Sequence, residues 1–158
     1  MSLVQVAISL GVLIGIACAD SSGPSGPAVA IGASWFEVEI AATSQERSRG
    51  LSGRESLPDS TGMLFVYDSA RTPSFWMKEM LIPLDFVWIG DNCSVVDLHT
   101  DVPPPPQGTA SGSLPTYRPG SPVRYVLEIN AGKVAELGIQ VGDPVRFEGI
   151  DVSGVGCQ

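Results

Sequence analysis

The chain has 158 residues, enough for one domain once a leader is set aside, and a formal net charge of −8 at pH 7. That charge argues against binding nucleic acid or an anionic membrane through a basic face. Charged residues are sparse while glycine and proline number 18 and 13, which favours short strands and turns over long helices.

Leu3 to Ala17 is an uncharged apolar stretch. At about 15 residues it is shorter than the roughly 20 that a spanning helix needs, and it fits the apolar part of a signal peptide. It ends in Ile16-Ala17-Cys18. Small or apolar residues directly before a cysteine resemble the lipobox of bacterial lipoproteins, where signal peptidase cuts before the cysteine and the cysteine is lipidated. Gly15 stands where that family usually has Leu, and no Lys or Arg precedes the apolar stretch. The resemblance implies that residues 1–17 are removed and that Cys18 carries a lipid anchor, which places the protein in the bacterial envelope, outside the cytoplasm. A plain secretory or membrane-anchoring N-terminal segment is the alternative. Residues 18–33, with the run Ala19-Asp20-Ser21-Ser22-Gly23-Pro24-Ser25-Gly26-Pro27, read as a flexible tether.

Residues 34–150 then read as a single domain. Trp35 to Ala41 alternates, with Phe36, Val38 and Ile40 on one face and Glu37 and Glu39 on the other, as a half-buried strand does. Thr43-Ser44-Gln45-Glu46 has capping-box spacing, which predicts a short helix ending at Ser48 or Arg49. Gly50 supplies the left-handed position after it. Met63 to Tyr67 is a second strand between turns at 59–62 and 68–71.

Phe75 to Ile89 is the densest apolar run outside the N-terminus. It is rich in aromatic and β-branched residues and broken once at Pro83. It reads as two core strands joined by a short link. Lys78 and Asp85 lie inside it, and a charge among core residues must be paired, solvated or functional.

Gly90-Asp91-Asn92 closes a hairpin into Cys93 to Leu98. Residues 101–122 are Pro-, Gly- and Ser-rich and include Pro103-Pro104-Pro105-Pro106; they read as a functional flap or a disordered insertion. Val123 to Ile129 is a strand. Asn130 is placed to cap a helix through Lys133, Val134 and Leu137, which Gly138 ends. Ile139 to Phe147 forms a turn and a last strand, and residues 151–158 are a tail. The elements describe an α+β domain, mostly β, with two short helices.

Several blocks taken together resemble the family catalogued as domain of unknown function 192. They are Glu46-Arg47 with Gly50-Leu51, Arg54 and Leu57-Pro58, Gly62-Met63-Leu64-Phe65, Phe75-Trp76-Met77-Lys78, Ile82-Pro83-Leu84-Asp85, Tyr125-Val126-Leu127-Glu128 with Asn130-Ala131-Gly132, and Gly138-Ile139 with Val141-Gly142-Asp143. The resemblance covers roughly Trp35 to Phe147. It implies a small β-barrel-like domain, often secreted or lipid-anchored, with no agreed activity. Ser52 stands where that family usually has Met. Pro105 and Pro115 fall near positions where many members carry Cys, so a loop disulfide or loop metal site does not transfer.

Candidate chemistry is thin. His99 is the single histidine, no Gly-x-Ser-x-Gly occurs, and a strand-end surface role is the simpler reading. One His and three Cys without a Cys-x-x-Cys do not make a closed zinc site, and no glycine loop for a phosphate or dinucleotide is present; no metal or cofactor is expected. Asp85, Asp97 and Glu128 are the carboxylates an enzyme would draw on.

Lys78 and Asp85 read as a structural ion pair, or as part of a ligand cleft with Arg47, Arg54 and Trp76, where a few polar groups converge among aromatics. With Cys18 lipidated, Cys93 and Cys157 are the remaining thiols and are expected to form a disulfide. The leading expectation is non-catalytic binding of a ligand or envelope partner. The alternatives are a carboxylate hydrolase acting on an envelope polymer and a structural accessory domain.

Overall fold

Strand structure begins earlier than the sequence pattern indicates. In the computed structural model, which describes residues 24–151, β1 is Ala28–Ile31 and its four side chains are all buried. The tether read as 18–33 therefore ends before Ala28. A four-residue apolar run between Pro27 and Gly32 is too short to show a period of two. β1 turns at Gly32, φ +60°, into β2 (Ser34–Ala41), where Phe36 and Val38 are buried but Ile40 is exposed.

The remaining elements are α1 (Ser44–Arg49), β3 (Thr61–Arg71), β4 (Leu84–Ile89), β5 (Val95–Val102), a 3-10 turn at Ser111–Ser113, β6 (Val123–Asn130), α2 (Lys133–Leu137) and β7 (Val145–Glu148). One seven-stranded sheet runs in the order β5-β4-β6-β3-β2-β1-β7. β2 and β3 are parallel and the other neighbours antiparallel.

The sheet curls into a half-barrel whose edges meet at one end. There the Val95 amide donates to Asp143 O (2.9 Å), Gly142 N to Val95 O (2.8 Å) and Val145 N to Cys93 O (2.8 Å). The mostly β, barrel-like fold with two short helices is thus as the sequence indicates.

The sheet has two cores. The inner one draws on every strand, with Val29, Phe36, Leu64, Val87, Val95, Leu127 and Val145 among its members, and α2 adds Val134. The outer one covers β3, β6 and β4 with residues from the connecting segments: Leu51, Leu57, Phe75, Met77 and Met80. β4 is consequently buried at all six positions. Close approach of β3 to β6 needs Gly62, because a Cβ there would lie 2.6 Å from the Glu128 carbonyl oxygen.

Four local expectations change. Phe75 to Leu81 is not a strand: Phe75 makes a single two-bond bridge to Tyr117, and the rest turns, with Glu79 at φ +57°. Phe75, Met77 and Met80 are buried as a lid on the outer core, while Trp76 and Leu81 are exposed, so the same hydrophobicity serves a different backbone. The Thr43 capping box forms as expected, but Gly50 has φ 51° and ψ −139°, a conformation outside the left-handed helical region. Asn130 does not cap α2; its amide donates to Leu57 O (2.8 Å). Residues 101–122 fold back on the domain: Tyr117 packs edge-on to Phe86 (5.6 Å) and His99 (5.6 Å), and the Gly120 amide donates to Asp97 (2.8 Å).

Asp85 is fully buried, and Lys78 is not its partner. Its carboxylate accepts from the Asp101 amide at Oδ1 and the Val134 amide at Oδ2, both at 2.8 Å. Gly132, before α2, has no side chain to cap that helix, so Asp85 does the capping from a neighbouring strand. It also holds Asp101, whose φ is +54°, at the end of β5. Lys78 sits at the surface with Glu79 at 3.9 Å. The expected Lys78–Asp85 pair is therefore corrected to two separate roles. A buried carboxylate is satisfied by two oriented amides without a second charge that would have to be desolvated.

Asp85→Ala leaves the buried Val134 amide and the part-buried Asp101 amide without their acceptor and is expected to cost about 3 kcal/mol or more. Lys78→Ala should cost under about 0.5 kcal/mol. In denaturant melts the double mutant should equal the sum of the singles within about 0.5 kcal/mol. A larger coupling would mean that the two side chains do interact.

Candidate functional site

A cleft opens on the outer core, between α1 and the lid segment. Its volume is about 260 Å³. α1 contributes Arg47 and Arg49, the turn after it Leu51 and Ser52, β3 Phe65 and Tyr67, the lid Phe75, Trp76 and Met80, and β6 Glu128. The lid is placed by the Phe75–Tyr117 bridge and joined to the opposite wall twice: Ser52 Oγ donates to Lys78 O (2.9 Å), and Gly53 N to Glu79 O (2.8 Å). Methionine, usual at position 52 in the family that the sequence resembles, offers no such donor. Trp76 remains 48% exposed at the mouth, the property expected of a contact residue and not of a core one.

Arg47 is held rigidly. Its Nη1 donates to Ala42 O and to Val66 O, the latter at 2.9 Å, and its guanidinium lies 4.9 Å from the centre of the Tyr67 ring. Arg71 approaches the same ring at 5.2 Å. Burial pushes the Tyr67 hydroxyl up, against the pull of the two arginines.

Glu128 is the unusual group. It lies on β6 between Met63 of β3 and Phe86 of β4, and only 5% of it is exposed. Its carboxyl has no hydrogen-bond partner among the described residues, and it is the one carboxylate lining the cleft. Desolvation with nothing to offset it raises its pKa from 4.5 to about 8, which favours the neutral, protonated form.

The ligand-cleft set inferred from sequence is divided by the fold. Arg47 and Trp76 line the cleft. Arg54 lies in another groove, beside Pro58, and binds Glu39 with two contacts of 2.5 and 2.6 Å. That hydrogen bond holds the Glu39 carboxyl below its usual range. Lys78 reaches the site through its backbone alone, and Asp85 faces the inner core under α2.

His99 is half-buried within β5, and its Nδ1 accepts from the Trp88 indole at 2.8 Å, so it has a structural task and is not a free surface group. Cys93 is disulfide-bonded. Cys18 and Cys157 lie outside the described residues. Among the described residues no three of His, Cys, Asp and Glu come together as metal ligands.

Tyr67 carried no signal in the sequence beyond its position, and Ser52 only its departure from the Met usual in the resembled family. Glu128 did carry one: it is an acid within the apolar run Tyr125-Val126-Leu127-Glu128-Ile129, as Asp85 is within its own run.

The family model described as domain of unknown function DUF192, "Uncharacterized ACR", matches residues 28–147. Two solved structures are similar. A protein of unknown function from Novosphingobium aromaticivorans DSM 12444 is 32% identical with a TM-score of 0.68, the match covering 75% of this chain and 83% of that one. A protein from Sinorhizobium meliloti 1021, described as a candidate transcription regulator, is 28% identical with a TM-score of 0.68, the match covering 78% and 93%. No curated protein matches.

The raised pKa of Glu128 makes stability depend on pH. The unfolded carboxyl loses its proton near 4.5 and the folded one near 8. The stabilisation is therefore fully present below 4.5 and is lost as pH rises towards 8, at about 1.4 kcal/mol per unit of pH. Denaturant melts at pH 5, 7 and 9 should show wild type losing several kcal/mol across this window and Glu128→Gln losing much less. Parallel pH profiles for the two proteins would contradict the assignment.

Proposed function

The chain belongs to the family of domain of unknown function 192, and on that premise we propose that it is an exported envelope domain, anchored through a lipid on Cys18, that holds a small ligand in the cleft between α1 and the lid. One observation carries the binding half of this reading. The Glu128 carboxyl, on a residue only 5% exposed, makes no hydrogen bond to a described residue and opens on a cavity walled by Phe65, Phe75 and Trp76. A carboxyl largely removed from water and not engaged by the protein keeps its hydrogen-bonding capacity for a ligand. At about 260 Å³ the cleft lies just below the size of drug-binding pockets, which begin near ~300 Å³, and suits a small molecule.

Two-carboxylate hydrolysis is less well supported. It needs a second carboxylate set across the cleft, whereas Asp85 is turned away and has both oxygens occupied. The regulator description belongs to the Sinorhizobium protein, and the charge of −8 speaks against carrying DNA binding over to this one. The anchoring half rests on the apolar run that ends at Ala17-Cys18.

Two experiments test the halves separately. Full-length protein purified from the envelope should release a small molecule on extraction, and Trp76→Ala, a change at an exposed position, should lose most of it. Identical extracts from the two proteins would overturn the binding reading. Metabolic labelling with a fatty-acid analogue should mark wild type and not Cys18→Ser; equal labelling would overturn the anchor.

A further inference from the structure

The cleft has a charge pattern opposite to that of the chain. The protein carries a net charge of −8, yet the charged side chains lining the cleft are Arg47 and Arg49, and its one carboxyl is Glu128. Arg47 is anchored through Nη1 alone, so Nε and Nη2 have no hydrogen-bond partner among the described residues. The walls are mixed: Leu51, Phe65, Phe75, Trp76 and Met80 supply an apolar side, and Ser44, Ser48, Ser52 and Ser74 a polar one.

Resting on the binding reading above, we propose that the ligand is a small organic carboxylate, its apolar body against Phe65, Phe75 and Trp76, its anionic group paired with Arg47, and the Glu128 carboxyl donating a hydrogen bond to one of its oxygens.

Three classes compete for such a site. A cationic ligand would face Arg47 and Arg49 and would require a desolvated Glu128 anion. Inorganic phosphate would satisfy the arginines but leave the aromatic walls uncovered. An organic carboxylate uses both features, and a neutral acid beside a carboxylate supplies a charge-assisted O–H···O⁻ bond, among the stronger hydrogen bonds available.

The groups around Glu128 fix the sign of the pH dependence. β3 presents Tyr67, with Arg71 over its ring, and α1 presents Arg47 and Arg49. β4 presents Phe86 beside it, and the charged residues of the lid, Lys78 and Glu79, pair with each other at the surface. Glu128 is thus the group expected to change charge near pH 8. Its ionisation places an anion beside the ligand's anion in a poorly solvated site, where repulsion is strong.

Binding of benzoate and hexanoate, with benzylammonium and inorganic phosphate as counterparts, can be followed through Trp76 indole shifts in NMR between pH 6 and 9.5. Benzoate and hexanoate are expected to bind wild type more tightly than either counterpart at pH 6–7. Above pH 8 their affinity should fall about tenfold per pH unit, because binding takes up the proton that Glu128 loses. Glu128→Gln should bind both with no fall across pH 8, and Arg47→Gln should weaken both at least about tenfold at pH 6.

Tighter binding of benzylammonium or phosphate, absence of carboxylate binding, or a wild-type profile flat through pH 8 would overturn the proposal. A Trp76-dependent molecule recovered from the envelope that is not a carboxylate would overturn this ligand class and leave the binding reading standing. Recovery of no Trp76-dependent molecule would overturn the binding reading and this proposal with it.

Discussion

An acid on a strand covered from both sides must find hydrogen bonds or give up its charge. β4 and β6 run through the middle of the sheet between the two cores, and each carries one buried acid. Asp85 takes the first course. Two amides, from β5 and α2, converge on it at 2.8 Å, so one side chain fixes a strand end and a helix start. Glu128 takes the second. Its neighbours across the sheet are Met63 and Phe86, which offer nothing, and its pKa moves to about 8. Asp85 on the inner face therefore organises the fold, whereas Glu128 on the outer face leaves a hydrogen-bonding capacity unused.

The outer face is where such a group can meet solvent or a ligand. The inner face is closed by the curl of the sheet and by the contacts between its edges at Cys93, Val95, Gly142, Asp143 and Val145. The outer face is covered only by connecting segments, held by Ser52, Gly53 and the Phe75–Tyr117 bridge. A cover fastened by a few hydrogen bonds is a lower-stability unit than the sheet beneath it. An opening between α1 and the lid is the natural result.

Much of this was legible in the sequence. The Thr43-Ser44-Gln45-Glu46 spacing yielded the α1 cap, because a capping box is a local device whose partners lie within four residues. The strands around Phe36, Leu64, Phe86, Leu98 and Leu127 followed from apolar character. What failed depended on distant partners. Asn130 has the chemistry of a helix cap, but Leu57 O claimed it, and Asp85, remote in sequence from Val134, capped α2 instead. Phe75 to Met80 has the composition of a core strand yet lacks a sheet neighbour beyond Tyr117, so it became a lid. In the candidate site, the sequence grouped Arg47, Arg54, Trp76, Lys78 and Asp85 on one ground, convergence of a few polar groups among aromatics, and the fold places only Arg47 and Trp76 in the cleft. Arg54, Lys78 and Asp85 fall elsewhere, because such a grouping says nothing of the face on which a side chain emerges.

The hydrogen bond proposed from Glu128 to the ligand, and the pH dependence of the cleft, require that this carboxyl keep its proton well above the ordinary carboxylate range. A direct measurement is the pH titration of the Glu128 side-chain carboxyl carbon by ¹³C NMR, assigned with Glu128→Gln. A raised inflection, near 8, is the result that this account requires. An inflection near the ordinary 4.5 would show that Glu128 is a solvated or paired anion, and would contradict it.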